Sequence, residues 1–221
     1  MSEQESELPN IKVYQPWSAP LLHISLSESQ TAALLTLTDL ILTDTDKKSY
    51  NDILAGEIDS EWEFEDHESL SNILSVSELS AEYFEVFHTQ YNYDADSGEV
   101  DEPLAIFAQN LQNSVLTHAW FNDQRDNEYN PIHNHTGILS GVLYLKIPEY
   151  LPSRKTKDTD GSISFIGNES KTDGVMTNST ITISPKVGDL FLFPSSLKHQ
   201  VYPFRTTDGT GIRRSLSFNM G

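Results

Sequence analysis

Apolar side chains follow two different spacings along this chain, and the change from one to the other falls near residue 103. Before it, apolar residues recur at intervals of three and four, which is typical of amphipathic helices. After it, the interval shortens toward two, as in β-strands that bury one face. The pattern predicts a helical first part and a β-rich second part.

The first part contains an extended arm and two predicted helices. Ile11–Ile24 alternates like an edge strand and is interrupted by two prolines. Ser27 and Gln30 form a capping box ahead of a long apolar run, which predicts a helix of about four turns. A second helix is predicted from near Ser77, and residues 43–68 are expected to form an irregular excursion over the surface.

The second part predicts several short strands separated by turn residues. They are Val115–Phe121, Ile138–Ile147, Ser162–Ile166, Thr180–Ser184, Gly188–Pro194, His199–Pro203 and Arg213–Phe218. Such strands favour an antiparallel sandwich or barrel. We therefore predict a single domain, 1–221, in which residues 1–103 form an acidic arm and helical cover and residues 104–221 form the β core.

Charge divides the chain at the same place as the apolar pattern. Residues 1–102 hold 23 of the 33 acidic residues and three of the 14 basic ones, while residues 103–221 carry a net charge of +1. So acidic a surface argues against binding to nucleic acid or to anionic membrane, because both attract positive charge. It is typical of a solvated face that keeps a protein soluble, and docking of a basic partner is the alternative.

The chain contains no cysteine, which excludes disulfides, thiolate metal sites and cysteine nucleophiles. Its acidic N-terminus is unlike a signal peptide, and no apolar run approaches the roughly 18 residues of a membrane span. We expect a soluble, cytoplasmic protein. Any metal that it binds must use nitrogen and oxygen ligands.

His133 and His135 stand two residues apart, directly before a predicted buried strand. On an extended strand both imidazoles leave the same face, which is a spacing that metal ligands use. His199 follows another apolar strand and a turn, and such a turn brings a distant ligand back beside the first pair in a small barrel. The three residues are candidate metal ligands, and the alternative is a chance pair of histidines in a loop.

The last predicted strand has one polar face, formed by Arg213, Ser215, Ser217 and Asn219. If this face points into a closed barrel, an arginine on it needs an anion. An arginine followed two residues later by a serine suits a carboxylate. The alternative places Arg213 in solvent at the end of the barrel.

Four sequence blocks occur together in an order that resembles a known family. They are Asn130–Gly137, Leu139–Leu145, Gly188–Val201 and Arg213–Asn219. They resemble the prolyl-hydroxylase-like 2-oxoglutarate/Fe(II)-dependent oxygenase family of tailed phages and marine bacteria. The resemblance is strong over residues 115–221 and loose over the N-terminal half.

The resemblance implies a mainly β protein with N-terminal helices and a double-stranded β-helix, the jelly-roll or cupin-like fold. It implies Fe(II) held by His133, His135 and His199. The residues that it implies around 2-oxoglutarate are Arg213, Ser215 and Tyr144 as binding residues and Val142 and Asn219 as cavity lining. The implied reaction hydroxylates an unidentified substrate and releases succinate and carbon dioxide.

His135 stands where most such oxygenases have a carboxylate ligand. Asp189 and Glu128 lack the spacing from His133 that would let them replace it. Three neutral imidazoles do not offset the charge of the iron, which alters its redox potential and its reactivity toward dioxygen. The resemblance therefore predicts an oxygenase with a three-histidine centre.

Two other functions agree with the same sequence. A virion structural or assembly protein would keep the jelly roll, contact other virion proteins and carry at most a structural metal. A cupin-type isomerase or ligand-binding module would use the fold without redox chemistry. An oxygenase is expected in the cytoplasm, that of the host if a phage encodes the chain, and its substrate and oligomeric state are left open.

Overall fold

The computed structural model describes residues 11–14, 20–51, 54–91, 102–152, 159–167, 171–172, 175–176 and 179–221. The helices in these ranges are α1 (Glu28–Thr43), α2 (His67–Leu74), α3 (Val76–Tyr91) and α4 (Glu102–Gln112). The strands are β1 (Ile11–Tyr14), β2 (Leu21–Ser25), β3 (Glu61–Glu63), β4 (Leu116–Gln124), β5 (Asn130–His133), β6 (Leu139–Lys146), β7 (Ile163–Ile166), β8 (Lys171–Thr172), β9 (Val175–Met176), β10 (Thr180–Ile183), β11 (Asp189–Pro194), β12 (Lys198–Val201) and β13 (Arg213–Met220).

Two antiparallel sheets form the body of the protein. The larger has seven strands in the order β1-β2-β11-β6-β13-β4-β3, and the smaller has four in the order β10-β7-β12-β5. Strands β8 and β9 form a separate ribbon. Most neighbours in both sheets are distant in sequence, so the chain crosses repeatedly between the sheets, as it does in a jelly roll.

The larger sheet buries both of its faces, each against a different layer. Along β11, Leu190 and Leu192 pack in the core shared with the helices, whereas Phe191 and Phe193 pack in the core shared with the smaller sheet. Each such side chain contributes roughly 1.5–3 kcal/mol of apolar burial. The helical layer and the smaller sheet therefore hold the larger sheet between them.

The predicted helix starts are confirmed. The Ser27 hydroxyl accepts from the Gln30 backbone N–H at 3.2 Å, and the Gln30 side chain accepts from the Ser27 N–H at 3.1 Å, which completes the capping box of α1. The second predicted helix is α3, which begins at Val76. It is separated from α2 by Ser75 in the left-handed region, with a φ of 52°.

Two predicted segments differ from the structure. Residues 43–68 are not simply an irregular excursion, since β3 extends the larger sheet beside β4. Residues 102–112 form the helix α4, although the spacing of apolar residues was predicted to shorten to the two-residue interval of strands from residue 104. Phe107, Ala108 and Leu111 recur at helical intervals, and Phe107 packs on Phe87 of α3 with ring centroids 4.9 Å apart.

The helical layer therefore continues to residue 112, and the strands of the core begin at Leu116. The other predicted strands are confirmed within a few residues of their ends. Residues 1–10 and 15–19 of the predicted arm lie outside the described residues. Within the described parts of the chain, none of the helices combines the length and the apolarity needed to cross a membrane.

Candidate metal and cosubstrate site

Strand pairing brings the three candidate metal ligands together. His133 ends β5 directly opposite His199 on β12, and their ring centroids are 4.2 Å apart. His135 lies beyond the end of β5, in a loop whose backbone N–H donates to the Ser195 carbonyl at 2.8 Å. One ring nitrogen from each of the three histidines lies within 4.8 Å of the other two.

Backbone carbonyls fix the tautomers of two of these histidines. A carbonyl only accepts, so Nδ1–H of His133 donates to Pro131 at 2.7 Å and Nδ1–H of His199 donates to Leu197 at 3.0 Å. The Nε2 atoms then carry lone pairs, and Nε2 of His199 lies 3.2 Å from Nε2 of His135. Such carbonyl support is typical of histidines that bind a metal through their other nitrogen, so the three residues fit a divalent metal.

The surroundings keep all three imidazoles neutral. Burial lowers the pKa of His133, and burial together with His133 lowers the pKa of His135 to about 4. Burial, followed by the two neighbouring histidines, holds the pKa of His199 well below its usual value. Because metal competes with protons for imidazole nitrogen, these shifts favour metal binding at neutral pH.

Neither alternative carboxylate belongs to this cluster. Asp189 lies 2.9 Å from Nε2 of His23 and accepts from the backbone N–H of Lys186. Glu128 accepts from the backbone N–H groups of Asp59 and Arg125. Among the described residues, no carboxylate shares the three-histidine cluster.

The histidines open into a cavity of about 120 Å³ between the two sheets. One water molecule needs roughly 10–15 Å³ on this measure, so the cavity has room for a small organic acid. Its lining residues are Leu54, Ala55, Trp120, Asn122, Gln124, Asn130, His133, Asn134, His135, Gly141, Val142, Tyr144, Ile163, Phe193, His199, Val201, Arg213, Ser215 and Ser217.

Arg213 is the polar centre of one end of the cavity. It is 1% exposed, and its guanidinium donates to the Gly161 carbonyl at 2.6 Å and to the Gln124 side-chain oxygen. Its Nε has no hydrogen-bond partner among the described residues, and the same is true of the Tyr144 hydroxyl. The guanidinium carbon lies 5.5 Å from the Tyr144 ring centre, so the two unpartnered donors lie at the same end of the cavity.

These donors fit a carboxylate. Burial raises the pKa of Tyr144 to about 12, so its hydroxyl keeps its proton and donates. Ser215 lies opposite Tyr144 in the strand register and also lines the cavity. A buried donor without a partner costs about 1–3 kcal/mol, a penalty that an anionic ligand would remove.

Val142 lines the cavity as predicted, but Asn219 is not among the lining residues. Asn219 lies at the far end of β13, where its side-chain oxygen accepts from the Ser140 hydroxyl at 2.8 Å. Ser140 in turn lies 2.9 Å from the hydroxyl of Ser195, the residue whose carbonyl holds the His135 backbone. Asn219 therefore supports the ligand loop instead of contacting the cavity.

One wall of the cavity was not predicted from the sequence. Trp120, Asn122 and Gln124 alternate along β4 and all face inward, and Trp120 lies 5.4 Å from the His135 ring. Asn122, Asp123 and Gln124 form a continuous polar run at the end of this strand, so alternation gave no signal for the wall. Leu54 and Ala55 also line the cavity, although they fall in the segment predicted to cross the surface.

Residues 118–219 match the family model described as "Putative 2OG-Fe(II) oxygenase". The matched segment contains the three histidines, Tyr144, Arg213 and Ser215. No curated protein sequence matches the chain. An origin in tailed phages or marine bacteria stays a prediction.

Several solved structures are similar in fold. A prolyl-4-hydroxylase from Pseudomonas putida gives a TM-score of 0.50 at 13% identity over 90% of each chain. HygX from Streptomyces hygroscopicus, with nickel, 2-oxoglutarate and hygromycin B bound, gives 0.50 at 11% identity over 92% of this chain and 83% of its own. AviO1 from Streptomyces viridochromogenes Tue57 gives 0.52 at 11% identity over 91% of this chain and 89% of its own.

At such low identity these structures speak for the fold alone. They confirm the predicted double-stranded β-helix with helices added to it. Together with the match to the family model, they make this chain similar to 2-oxoglutarate/Fe(II) oxygenases in sequence and in architecture.

Proposed function

We propose that this protein is an Fe(II)- and 2-oxoglutarate-dependent oxygenase that hydroxylates a substrate not yet identified. In this reaction dioxygen supplies one oxygen atom to the new hydroxyl group and the other to succinate, while 2-oxoglutarate loses carbon dioxide. One observation carries the proposal. Three neutral histidines with converging ring nitrogens open into the same cavity as the unpartnered donors of Arg213 and Tyr144.

His133, His135 and His199 would hold the iron, which when bound would supply the site for dioxygen activation. Arg213 would pair with the distal carboxylate of 2-oxoglutarate through a charge-assisted hydrogen bond. The Tyr144 hydroxyl would donate a hydrogen bond to the same carboxylate. Ser215, on the neighbouring strand, would assist in binding it. The guanidinium of Arg213 offers only hydrogen-bond donors and no acceptor, which matches the oxygens of a carboxylate.

Apolar side chains protect the reacting centre from water. Phe193 packs on the His199 ring at 4.8 Å, and Val142, Ile163 and Val201 line the same cavity. Exclusion of water strengthens the interaction between Arg213 and a bound carboxylate.

An anaerobic titration tests the two binding steps separately. We expect iron to bind first and 2-oxoglutarate then to produce a visible metal-to-ligand charge-transfer band, which Arg213→Met should weaken strongly. Arg205→Met is the matched control, because Arg205 lies in a neighbouring loop, is partly exposed and pairs with Asp160. Admitting air should then yield succinate from 2-oxoglutarate.

A charge-transfer band that is absent with iron bound would contradict the cosubstrate site. Failure to bind iron, together with no succinate, would overturn the enzymatic proposal and favour a structural jelly roll. Equal loss of the band in the Arg205 and Arg213 variants would point to a general charge effect.

A further inference from the structure

The buried polar atoms without partners divide the cavity into two ends of opposite character. At the β6 and β13 end they are donors, Nε of Arg213 and the hydroxyl of Tyr144. On the cavity-facing side of β3 and β4 they are oxygens, Oδ1 of Asn122 in the cavity wall and the two carboxyl oxygens of Glu61 beside it. The indole N–H of Trp62 on β3 also has no partner, but this side chain packs in the core on the opposite, helical side of the sheet. None of these atoms has a hydrogen-bond partner among the described residues.

Glu61 and Asn122 form a pair across two strands. Glu61 on β3 lies directly opposite Asn122 on β4, so their side chains leave the same face with Cβ atoms about 5 Å apart. Asn122 lines the cavity, and Glu61 is 1% exposed. The acceptors therefore lie in a region from which water is largely excluded.

The segment before β3 holds Glu61 close to the cavity mouth. A Cβ atom on Gly56 would lie 3.2 Å from Glu61 Oε1 and 2.5 Å from Asn130 Oδ1, so the glycine packs between the two side chains. Leu54 and Ala55, the two residues before this glycine, line the cavity, and so does Asn130. The carboxyl group of Glu61 thus lies immediately beside the cavity wall.

The carboxyl group of Glu61 is buried without a cation beside it. Burial, with Glu128 adding to it, raises the pKa of Glu61 to about 8. Among the described residues no lysine or arginine pairs with it. A buried carboxyl group without a cation is costly to ionise, and a ligand cation would lower that cost.

A pair of aromatic rings lies between this end of the cavity and the histidines. The rings of Tyr50 and Trp120 are stacked with centroids 5.6 Å apart, and Trp120 lies 5.4 Å from the His135 ring. Glu63 lies opposite Trp120 in the register and raises the pKa of Tyr50, a smaller effect than burial. Aromatic faces beside carboxylates are the surroundings that bind organic cations.

We propose that this acceptor end binds a protonated nitrogen, an ammonium or a guanidinium group, of the substrate to be oxidised. Glu61 and Asn122 accept its hydrogen bonds, and Trp120 contacts the adjoining part of the molecule. As a statement about the substrate this rests on the proposed function. The division is chemically consistent, because the anionic cosubstrate and the cationic substrate take opposite ends and do not compete.

The test compares butylguanidinium with butylurea, which have nearly the same shape and differ in charge. Calorimetric titrations of the full-length chain, with no metal added and again with Zn(II), measure both affinities. We expect butylguanidinium to bind at least about tenfold more tightly than butylurea, and Glu61→Gln to remove this preference, as loss of a buried charge partner does. Glu65→Gln is the control, since Glu65 is exposed and pairs with Lys48.

Asn122→Leu is the second variant, which lacks the acceptor but keeps the branched shape of the side chain, and it should also reduce the preference. Circular dichroism establishes that each variant is folded. Equal affinity of the two probes for the wild-type chain, or no binding of either, would overturn the inference. So would a preference that persists in folded Glu61→Gln and Asn122→Leu.

The two proposals fail in different ways. If butylguanidinium is preferred but iron and 2-oxoglutarate give no charge-transfer band, the cation site stands and the oxygenase proposal falls. If the band forms and neither probe is preferred, the oxygenase proposal stands and the inference about the substrate falls.

Discussion

Arg213 and Arg214 are adjacent on β13 and both are buried, yet their surroundings are opposite. Arg214 faces the helices, where it donates to both oxygens of Asp123 at 2.6 and 2.7 Å and to Asp39 at 2.5 Å. Arg213 faces the cavity, where its acceptors are the neutral oxygens of Gly161 and Gln124. The arginine on the helical side has its countercharge in the protein, whereas the other leaves that place to a ligand.

The same difference extends over both faces of the larger sheet. On the helical side polar groups such as Thr38 and Arg214 satisfy each other, with 3.1 Å between them. On the cavity side Tyr144, Glu61 and Asn122 keep atoms without partners among the described residues. Binding sites commonly retain such groups at a cost in stability, so substitutions on the two faces should have opposite effects.

The largest effect is expected at Arg214. Arg214→Met should lower the free energy of unfolding by roughly 3–5 kcal/mol, because Asp123 would remain as a buried charge without its partner. Denaturant unfolding followed by circular dichroism measures the change. Affinity for 2-oxoglutarate in iron-loaded, folded protein should stay within about threefold of wild type, which is about 0.6 kcal/mol.

Asp39→Asn provides the matched control. Asp39 binds the same arginine, but its side chain is 63% exposed, so its removal should cost less than about 1 kcal/mol. An Arg214→Met protein as stable as wild type would contradict the assigned role of the helical face.

Arg213→Met should do the reverse. Affinity for 2-oxoglutarate should fall about 30-fold or more, corresponding to roughly 2 kcal/mol or more for a lost buried charge partner. Stability without ligand should be unchanged or higher, because an arginine lacking a countercharge is replaced by an apolar side chain of similar volume. The charge-transfer titration and denaturant unfolding measure the two quantities.

If Arg213→Met loses as much stability as Arg214→Met, the two arginines do not differ in their contribution to stability. It would mean that the Gly161 and Gln124 contacts hold the fold together. Unchanged cosubstrate affinity would refute the ligand role of Arg213.

Glu61 should make stability depend on pH. Its pKa is about 8 when folded and near 4.5 when unfolded, so the folded protein binds the extra proton and stability falls as pH rises between these values. Glu61→Gln should remove this fall and be more stable than wild type at pH 8, on the order of 4 kcal/mol. Unfolding measured from pH 4.5 to pH 8.5 tests the expectation.

The difference between variant and wild type should vanish near pH 4.5, where both side chains are neutral. Glu65→Gln is the control, because it makes the same substitution at an exposed position. A constant difference at all pH values would indicate a packing effect and not a titration.

The β core could be predicted closely because alternation fixes which strand face is buried. Alternation placed Arg213 and Ser215 on one face of β13, and both residues line the cavity. The strand and turn before His199 predicted its return to the first two histidines, and His199 lies opposite His133. The wall formed by β4 was missed because Asn122 and Gln124 look like ordinary surface positions when the partner sheet is unknown. Glu61 gave no signal either, because its burial depends on a cross-strand neighbour and on Gly56, both distant from any motif.

The smallest effect is expected at Asn219, which acts on the site through other residues. Asn219→Ala removes the acceptor for Ser140 and loosens the contact with Ser195, whose carbonyl holds the His135 backbone at 2.8 Å. Supporting residues of this kind change metal affinity about tenfold, so we expect that loss for Zn(II) with little change in 2-oxoglutarate affinity once metal is saturating. Thr117→Val is the control, since the Thr117 hydroxyl donates to the Asn219 backbone carbonyl and not to its side chain. Zinc affinity unchanged in Asn219→Ala would mean that the His135 loop keeps its position without this network.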